Sequence, residues 1–305
     1  MTYDVIVIGS GPAGLTAALY ASRAELKTLI IAGFEPGGQL MKTSEVENFP
    51  GFPEGIQGPE LMEKMIKQAT RFGAQMLSET VKQVNFQKKP FKLTTEKGDY
   101  ESRSVIISSG ADAKWLGLPN EQRLRGKGVS ACATCDGFFF KDKEIAVVGG
   151  GDSAMEEAIF LTKFAKKVTI VHRRDEFRAS KIMLKRAQDN PKIEIITNTT
   201  ITDVLGENKV EGVRLKNLNT EGERDFAVEG LFLAIGHKPN TAIYQGHLEL
   251  DKVGYIQVSS NTHTSIDGVF TAGDVNDHRY RQAVTAAGMG CMAAIDAEKY
   301  LADQE

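Results

Sequence analysis

The fold is decided by the stretch YDVIVIGSGPAG at residues 3–14. Its first half, Tyr3–Ile8, is a short apolar run rich in β-branched residues, which predicts a buried strand. A glycine loop follows at Gly9–Gly14, and the Ala/Leu-rich segment Leu15–Ala24 predicts a helix. Lys27–Ile31 has the character of a second strand. Strand, glycine loop, helix and strand in this order predict a dinucleotide-binding unit of the Rossmann type.

The same pattern occurs a second time in the middle of the chain. Glu144–Val148 predicts a strand and Gly149–Ala154 (GGGDSA) a second glycine loop. A helix to about Phe164 and a strand at Val168–Val171 are expected to follow. In such a loop the glycines allow a tight turn and close approach of the backbone to a pyrophosphate, and the third position must be small for packing. Two copies in the same context make an ordinary glycine turn a poor explanation for either.

Length and composition indicate a globular protein of two domains. The chain has 305 residues, of which 41% are hydrophobic and 25% charged. Its formal net charge of −3 produces no strong field that would favour nucleic acid or an anionic membrane. We see no signal peptide and no apolar run of the ~18 residues that a membrane-spanning helix needs, so we expect a cytoplasmic protein.

The chain is expected to cross between its two domains twice. Ser104–Gly110 and Leu231–Ile235 both predict strands that end in glycine-containing turns, and we take these as the crossing points. The predicted fold class is therefore α/β, with two Rossmann-like dinucleotide-binding domains, the second inserted into the first. The predicted domain limits are 1–114 with 242–305 for the interrupted domain and 115–241 for the inserted one.

The residues after the second strand of the inserted unit indicate which nucleotide it binds. A generic NAD site has an acidic residue there for the ribose hydroxyls. This chain has His172, Arg173 and Arg174 instead, with Arg178 expected one helical turn beyond. Guanidinium groups suit a 2′-phosphate, which a carboxylate would repel. The second site is therefore predicted to bind NADP(H), in preference to the alternative of a solvated basic surface.

A redox function is indicated by the motif CATCD at residues 132–136. Two cysteines at this spacing can close a small disulfide ring, and a lowered thiol pKa lets a thiolate attack or leave near neutral pH. Asp136 could move the accompanying proton if its pKa is raised. A zinc site is one alternative, but only Cys291 remains as a further cysteine and the five histidines show no paired spacing. A pair of buried, inert cysteines is the other alternative.

Together these motifs resemble the low-molecular-weight thioredoxin reductases, which are NADPH-dependent FAD disulfide reductases. The resemblance covers essentially the whole chain, including the segments GGQL at 37–40, EVENFPG at 45–51 and TAGDV at 271–275. It implies that Cys135 faces the flavin, that Cys132 exchanges with the protein partner and that Asp136 is the acid/base. It also implies that FAD is bound by the interrupted domain and NADPH by the inserted one.

The resemblance further names the residues that should hold the two cofactors. At the end of the strand Lys27–Ile31 stands Ala32 where an acid would be expected, so a ribose contact must come from Glu35 or from elsewhere. The residues implied for FAD are Gly9, Gly11, Pro12, Ala13, Gly14, Glu35, Gln39, Leu40, Asn48, Gly110, Gly273, Asp274, Arg281, Gln282 and Ala283. The residues implied for NADPH are Gly149, Gly151, Asp152, Ser153, Ala154, His172, Arg173, Arg174 and Arg178.

The activity that the resemblance implies is transfer of electrons from NADPH through FAD and the Cys132–Cys135 disulfide to a thioredoxin-like protein, by a homodimer that needs no metal. A ferredoxin or flavodoxin NADP reductase would have no reason to keep the C-x-x-C motif. A dithiol oxidase would not need the arginines, and the reductase of a peroxide-defence system is normally preceded by an extra domain. A nucleotide-sensing protein without turnover would need neither cysteine.

Two smaller expectations concern local structure. A short hairpin is expected near Asn208–Val213, where Gly206 and Gly212 bracket the turn. The run Phe138–Phe140 has the composition of a core strand, and docking of a partner protein is the alternative function for it.

Overall fold

The computed structural model describes residues 2–43 and 45–304. The strands in chain order are β1 (Thr2–Ile8), β2 (Thr28–Ile31), β3 (Glu45–Val46), β4 (Ile56–Gln57), β5 (Gln75–Leu77), β6 (Val81–Asn85), β7 (Phe91–Thr95), β8 (Asp99–Ile107), β9 (Ala111–Ala113), β10 (Val129–Ser130), β11 (Glu144–Val148), β12 (Lys167–Val171), β13 (Ile193–Ile196), β14 (Thr199–Leu205), β15 (Gly212–Asn217), β16 (Glu223–Phe226), β17 (Gly230–Leu233), β18 (His237–Pro239) and β19 (Val269–Thr271). The α-helices are α1 (Pro12–Arg23), α2 (Gly58–Arg71), α3 (Pro119–Arg123), α4 (Ala133–Asp136), α5 (Asp152–Leu161), α6 (Lys181–Gln188) and α7 (Ala283–Ala302). Short 3₁₀ helices occupy Gly38–Lys42, Gly137–Phe140 and Ala242–Tyr244.

The chain forms two compact units. The first unit comprises Met1–Asp112 with Lys238–Glu305, and the second comprises Ala113–His237. Strands β9 and β18 pair with each other and contain the two points at which the chain passes from one unit to the other. The sequence placed its domain limits two residues later at the first crossing and four later at the second. Which nucleotide each unit binds stays a prediction.

The first unit is built on a largely parallel sheet in the order β5-β2-β1-β8-β7-β6, with β19 beside β8. Strand β1 is central and lies parallel to both β2 and β8, so that Val5 is opposite Thr28 on one side and Ser104 on the other. Side chains of β1 alternate between two cores because successive residues point to opposite faces. Val5 and Val7 pack with α1, α2 and α7, whereas Ile6 and Ile8 pack on the opposite face.

Helices α1 and α7 approach each other closely in the first unit. A Cβ atom on Gly290 would lie only 2.0 Å from the backbone oxygen of Ala13. The α7 helix can therefore rest on the first turn of α1 only because residue 290 has no side chain. This contact places the beginning of α1, and with it the first glycine loop, against α7.

The second unit is a parallel sheet in the order β10-β17-β11-β12-β13, covered differently on its two faces. Ile145 and Val147 of β11 pack against α5 and α6, whereas Ala146 faces a second core. That second core is closed by the antiparallel sheet β14-β15-β16. The strand predicted at Glu144–Val148 is confirmed residue for residue.

Three local expectations are changed by the structure. The run Phe138–Phe140 is not a strand but part of a 3₁₀ helix that continues directly from α4; Phe140 is buried against Phe232, while Phe138 and Phe139 are exposed. The hairpin near residue 208 is present, but its strands β14 and β15 are longer and the turn spans 206–211. The predicted helix to Phe164 ends at Leu161 and is followed by a turn.

None of the helices described in the structure is long and apolar enough to cross a membrane.

The contact between α7 and α1 predicts opposite effects for two glycines of the same helix. Gly290→Ala should destabilise the protein by about 1–3 kcal/mol, because the new methyl group would overlap the Ala13 carbonyl. Gly288→Ala is the matched control: no atom lies within 4 Å of the new methyl group, so the change should raise stability by about 0.5–1 kcal/mol. Urea unfolding of both variants under the same conditions measures these changes, and equal effects would show that the contact is not tight.

Candidate active site

The two cysteines of the C-x-x-C motif form a disulfide. Cys132 and Cys135 are bonded, with their Cα atoms 5.3 Å apart. Cys132 is the N-cap residue of α4, and the backbone N–H of Cys135 donates a hydrogen bond to the sulfur of Cys132 over 3.2 Å. The backbone N–H of Cys132 donates in turn to the hydroxyl of Ser130 over 3.0 Å. Cys132 is half-buried and Cys135 is exposed. The motif is therefore an accessible disulfide fixed by backbone hydrogen bonds, and not a pair of inert core thiols.

Asp136 follows the disulfide directly and has an unusual environment for a carboxyl group. Burial raises its pKa above the ordinary value, because desolvation penalises the ionised form. A hydrogen bond from the Ser130 hydroxyl opposes this and lowers the pKa. The net effect is a carboxyl group that keeps its proton to higher pH than a solvated aspartate does, which is the property expected of an acid/base group.

The first glycine loop leaves room for a ligand at the beginning of α1. Gly9 has φ +107°, which favours glycine, and a Cβ on Gly14 would lie 2.1 Å from the oxygen of Gly9. Gly11 is the N-cap of α1, makes no side-chain cap, and has no atom within 4 Å of the position a Cβ would take. Uncapped N–H groups in open space at a helix N-terminus fit the pyrophosphate of a dinucleotide.

Segments far apart in the chain meet near this loop. A Cβ on Gly273 would lie 2.9 Å from the Cβ of Ala13, so the TAGD segment packs against the first turn of α1. The amide of Asn48 donates to Gln282 over 3.3 Å. Asp274 lies in the same region, and its pKa is raised to about 6, first by burial and then by the charge of Asp277, while Arg281 opposes the shift. A carboxyl group in this state fits a ligand that supplies hydroxyl hydrogen bonds.

Other residues implied for FAD have partners of their own. Gln39 donates to Asp112 over 2.6 Å, and Leu40 packs against the α1 side of the core. Glu35 is exposed and forms an ion pair with Lys42 over 3.0 Å. Pro12 and Ala13 are the first residues of α1, Gly110 lies between β8 and β9 with φ +70°, and Ala283 begins α7. The ribose contact expected of Glu35 stays a prediction.

The second glycine loop has the same character as the first. A Cβ on Gly149 would lie 2.5 Å from the oxygen of Ala234, and Gly149 has φ +158°. Gly151 is the uncapped N-cap of α5, with no atom within 4 Å of a Cβ position. Asp152 and Ser153 are exposed in the first turn of α5, and Ala154 is buried beneath the loop. This loop too fits a pyrophosphate.

The arginines lie on an extended loop that follows β12. Arg173, Arg174 and Arg178 are exposed, and none of them has an ion-pair partner among residues 2–43 and 45–304. The sequence predicted Arg178 one helical turn beyond the other arginines, but residues 172–180 are irregular in the structure. The backbone N–H of Arg178 donates to the oxygen of Gly150 over 2.7 Å. The physical reason is that this N–H is satisfied by the glycine loop instead of by a preceding carbonyl of a helix.

Several residues that shape these sites were missed by sequence reasoning. Ser10 is buried and joins two parts of the first site, donating to the oxygen of Ala32 and accepting from the N–H of Gly37 over 2.9 Å each. Ser130 contacts both Cys132 and Asp136. The sequence showed only that each serine lies in or near a motif, and serines are common in loops. No cluster of three or more potential metal ligands occurs in the described part of the chain.

Two dinucleotide-type glycine loops and a C-x-x-C disulfide define a nucleotide-dependent disulfide oxidoreductase. The family model "Pyridine nucleotide-disulphide oxidoreductase" matches residues 3–290. A thioredoxin reductase of Mycolicibacterium smegmatis is 58% identical over 99% of this chain and 98% of its own length. A bifunctional thioredoxin reductase/thioredoxin of Mycobacterium leprae is 56% identical over 99% of this chain and 66% of its own length. The solved thioredoxin reductase of Giardia duodenalis has 46% identity and a TM-score of 0.94 over 99% of both chains.

The chain belongs to the pyridine nucleotide-disulphide oxidoreductase family and, within it, to the thioredoxin reductases. It is a flavoprotein disulfide oxidoreductase whose cofactors are FAD and NADPH.

The exposed arginine loop predicts the preference between the two nicotinamide cofactors. Arg173→Ala and Arg174→Ala should each weaken NADPH binding about tenfold to a hundredfold, the effect of losing a charged hydrogen bond, and leave NADH nearly unchanged. Arg186→Ala removes an equally exposed arginine from α6 and should change neither. The dissociation constants of NADP⁺ and NAD⁺ measured by calorimetry test this. An equal loss of affinity for both cofactors would show that these arginines do not recognise the 2′-phosphate.

Proposed function

We propose that the chain is a thioredoxin-disulfide reductase that passes electrons from NADPH through FAD and the Cys132–Cys135 disulfide to a thioredoxin-like protein. The observation that carries the proposal is the accessible Cys132–Cys135 disulfide, in the same unit as a glycine loop and three exposed arginines. The names of the relatives support thioredoxin as the protein substrate, and in one relative the name includes thioredoxin itself.

The first unit supplies the FAD site in this proposal. Gly11 and the first turn of α1 would hold the pyrophosphate, and Asp274 would accept hydrogen bonds from ligand hydroxyls. The second unit supplies the NADPH site, with Gly151 and the first turn of α5 at the pyrophosphate and the arginine loop at the 2′-phosphate. FAD, when bound, supplies the two-electron exchange between NADPH and the disulfide.

Cys132 and Cys135 carry the electrons to the partner by thiol–disulfide exchange. Two electrons and two protons break their S–S bond and leave two thiols. The Cys132 thiolate then attacks the partner disulfide, forming a mixed disulfide and releasing one partner thiolate. The Cys135 thiolate attacks the Cys132 sulfur, which restores the internal disulfide and releases the partner as a dithiol. The N–H of Cys135 that points at the Cys132 sulfur would stabilise negative charge on that atom.

Asp136 holds the proton that these steps need. Because burial raises its pKa, Asp136 keeps a proton to higher pH than a solvated aspartate does. It can protonate the departing thiolate and take the proton back from the thiol that attacks next. Ser130 positions this group and moderates its pKa.

We also propose a homodimer, as the resemblance to the family implies, and a cytoplasmic location, as expected from the sequence. Light scattering in solution should give twice the chain mass of 33.3 kDa. Fractionation of cells that express the protein should recover it in the cytoplasmic fraction. A mass of one chain, or recovery with the membranes, would remove the corresponding part of the proposal.

The two cysteines should fail in different ways when each is replaced. Cys132→Ser and Cys135→Ser should both abolish NADPH-driven reduction of thioredoxin. Only Cys135→Ser should accumulate a mixed disulfide with the partner, because Cys132 can still attack and the resolving thiol is gone. Gel electrophoresis without reductant detects this species. Cys291→Ser is the control and should keep full turnover; a Cys132 or Cys135 variant that did so would falsify the proposed route.

Asp136 should control the pH dependence of thioredoxin reduction. Its acid form is the active one, so kcat/KM should fall as pH rises through its raised pKa. Asp136→Asn should lower the rate by about a hundredfold or more and remove this limb of the profile. Ser130→Ala should move the limb to higher pH, because the hydroxyl that lowers the Asp136 pKa is lost. A limb that stays at the same pH in both variants would assign it to another group.

A further inference from the structure

His172 occupies an unexpected place in the proposed NADPH site. Unlike the arginines that follow it, it is buried, with only 8% of its surface exposed. Its ring stacks on Phe177, with the ring centres 4.6 Å apart and the planes 28° from parallel. Its Nε2 atom lies 3.1 Å from the backbone oxygen of Glu176, which can only accept, so Nε2 carries the proton and donates. The His172 ring therefore contacts Glu176 and Phe177, which follow it in the same loop.

The other side of the same ring meets the glycine loop. A Cβ on Gly150 would lie 2.1 to 2.7 Å from three ring atoms of His172. Gly150 does not have a positive φ, so the reason for glycine here is space and not backbone conformation. Gly150 was not among the residues implied for the cofactor. Its contact shows that the histidine ring fills the gap between the glycine loop and the arginine loop.

Three backbone N–H groups of the arginine loop donate hydrogen bonds to the glycine loop and to the start of α5 beside this ring. The N–H groups of Arg178 and Ala179 both donate to the oxygen of Gly150, over 2.7 and 3.1 Å. The N–H of Ser180 donates to the Oδ1 atom of Asp152 over 2.7 Å. Asp152 is the first residue of α5, so the end of the arginine loop is tied to the helix that begins at the pyrophosphate site.

We propose that His172 is a positioning residue that fixes the arginine loop, residues 173–180, onto the glycine loop at 149–151. The 2′-phosphate site and the pyrophosphate site then form one rigid unit, with the guanidinium groups ordered before the nucleotide arrives. Such preorganisation favours the phosphorylated nucleotide because the loop does not have to be ordered on binding. This inference rests on the proposed use of NADPH.

The lock should act on cofactor selectivity and not on affinity for dinucleotides in general. The measured quantity is the ratio of the dissociation constants of NAD⁺ and NADP⁺, determined by calorimetry on the FAD-bound protein. His172→Ala should lower this ratio at least about tenfold, as for the loss of one charged hydrogen bond. His172→Phe keeps a ring over Gly150 and should keep most of the ratio. Val213→Ala, a core change on β15, is the control for general loss of stability and should leave the ratio unchanged.

Coupling between the two loops gives an independent test. Gly150→Ala should lower the ratio when His172 is present, because the new methyl group displaces the ring. In the double variant Gly150→Ala/His172→Ala the space is free, so the loss should be no greater than that of the more damaging single change. Losses that multiply would overturn the proposal. Amide exchange of residues 178–180 should accelerate in His172→Ala, since their N–H groups lose the fixed acceptors.

If His172→Ala does not fold, variants of Asp152 test the positioning role instead. Asp152→Ala removes the acceptor for Ser180 from an exposed side chain and should lower the ratio, whereas Asp152→Asn keeps an Oδ1 acceptor and should restore it. An unchanged ratio in Asp152→Ala and in every folded His172 variant would overturn the proposal. A wild-type protein that does not prefer NADP⁺ would instead remove the proposed cofactor, and the positioning role with it.

Discussion

The structure depends on the close approach of a helix to the end of a buried strand, made twice in this chain. At both glycine loops a side chain would collide with backbone: Gly14 with the oxygen of Gly9, and Gly149 with the oxygen of Ala234. The approach leaves the first N–H groups of α1 and α5 uncapped and facing open space. The absence of side chains in the glycine loops therefore has two effects. It allows the tight contact, and it leaves the helix end uncovered for an anion.

The redox centre follows a different physical rule. The disulfide lies at the start of a very short helix, where Cys132 caps the backbone and Cys135 follows one turn later. The adjacent carboxyl group is partly withdrawn from water, which raises its pKa, while a single serine hydroxyl opposes the shift. A disulfide with one exposed cysteine and a carboxyl group partly withdrawn from water thus occur within five residues. The 3₁₀ helix that follows buries Phe140 and so anchors this segment to the sheet.

The two nucleotide sites differ in how their second loop is held. In the first unit Ser10 joins the glycine loop to the chain after β2 through one hydroxyl. In the second unit the corresponding connection is made by an imidazole ring and by the oxygen of Gly150. The second arrangement fixes a longer loop that carries three exposed arginines. A loop of this kind needs more contacts to stay ordered in the absence of an anion.

The sequence by itself determined the strands beside the two glycine loops, the loops themselves, the C-x-x-C motif and the basic segment, because these depend on residues close together in the chain. Strand β11 was predicted to the residue, and the C-x-x-C spacing allowed a disulfide that the resemblance to the family implied. Only the tertiary structure decided the contacts between segments that are distant in the chain. These include the hydrogen bond from Asn48 to Gln282, the contact of Gly273 with Ala13, and the burial of His172 beside Gly150. The irregular course of Arg178 and the 3₁₀ conformation of Phe138–Phe140 belong to the same class. In each case a local preference was outweighed by a partner remote in sequence, which no local pattern can identify.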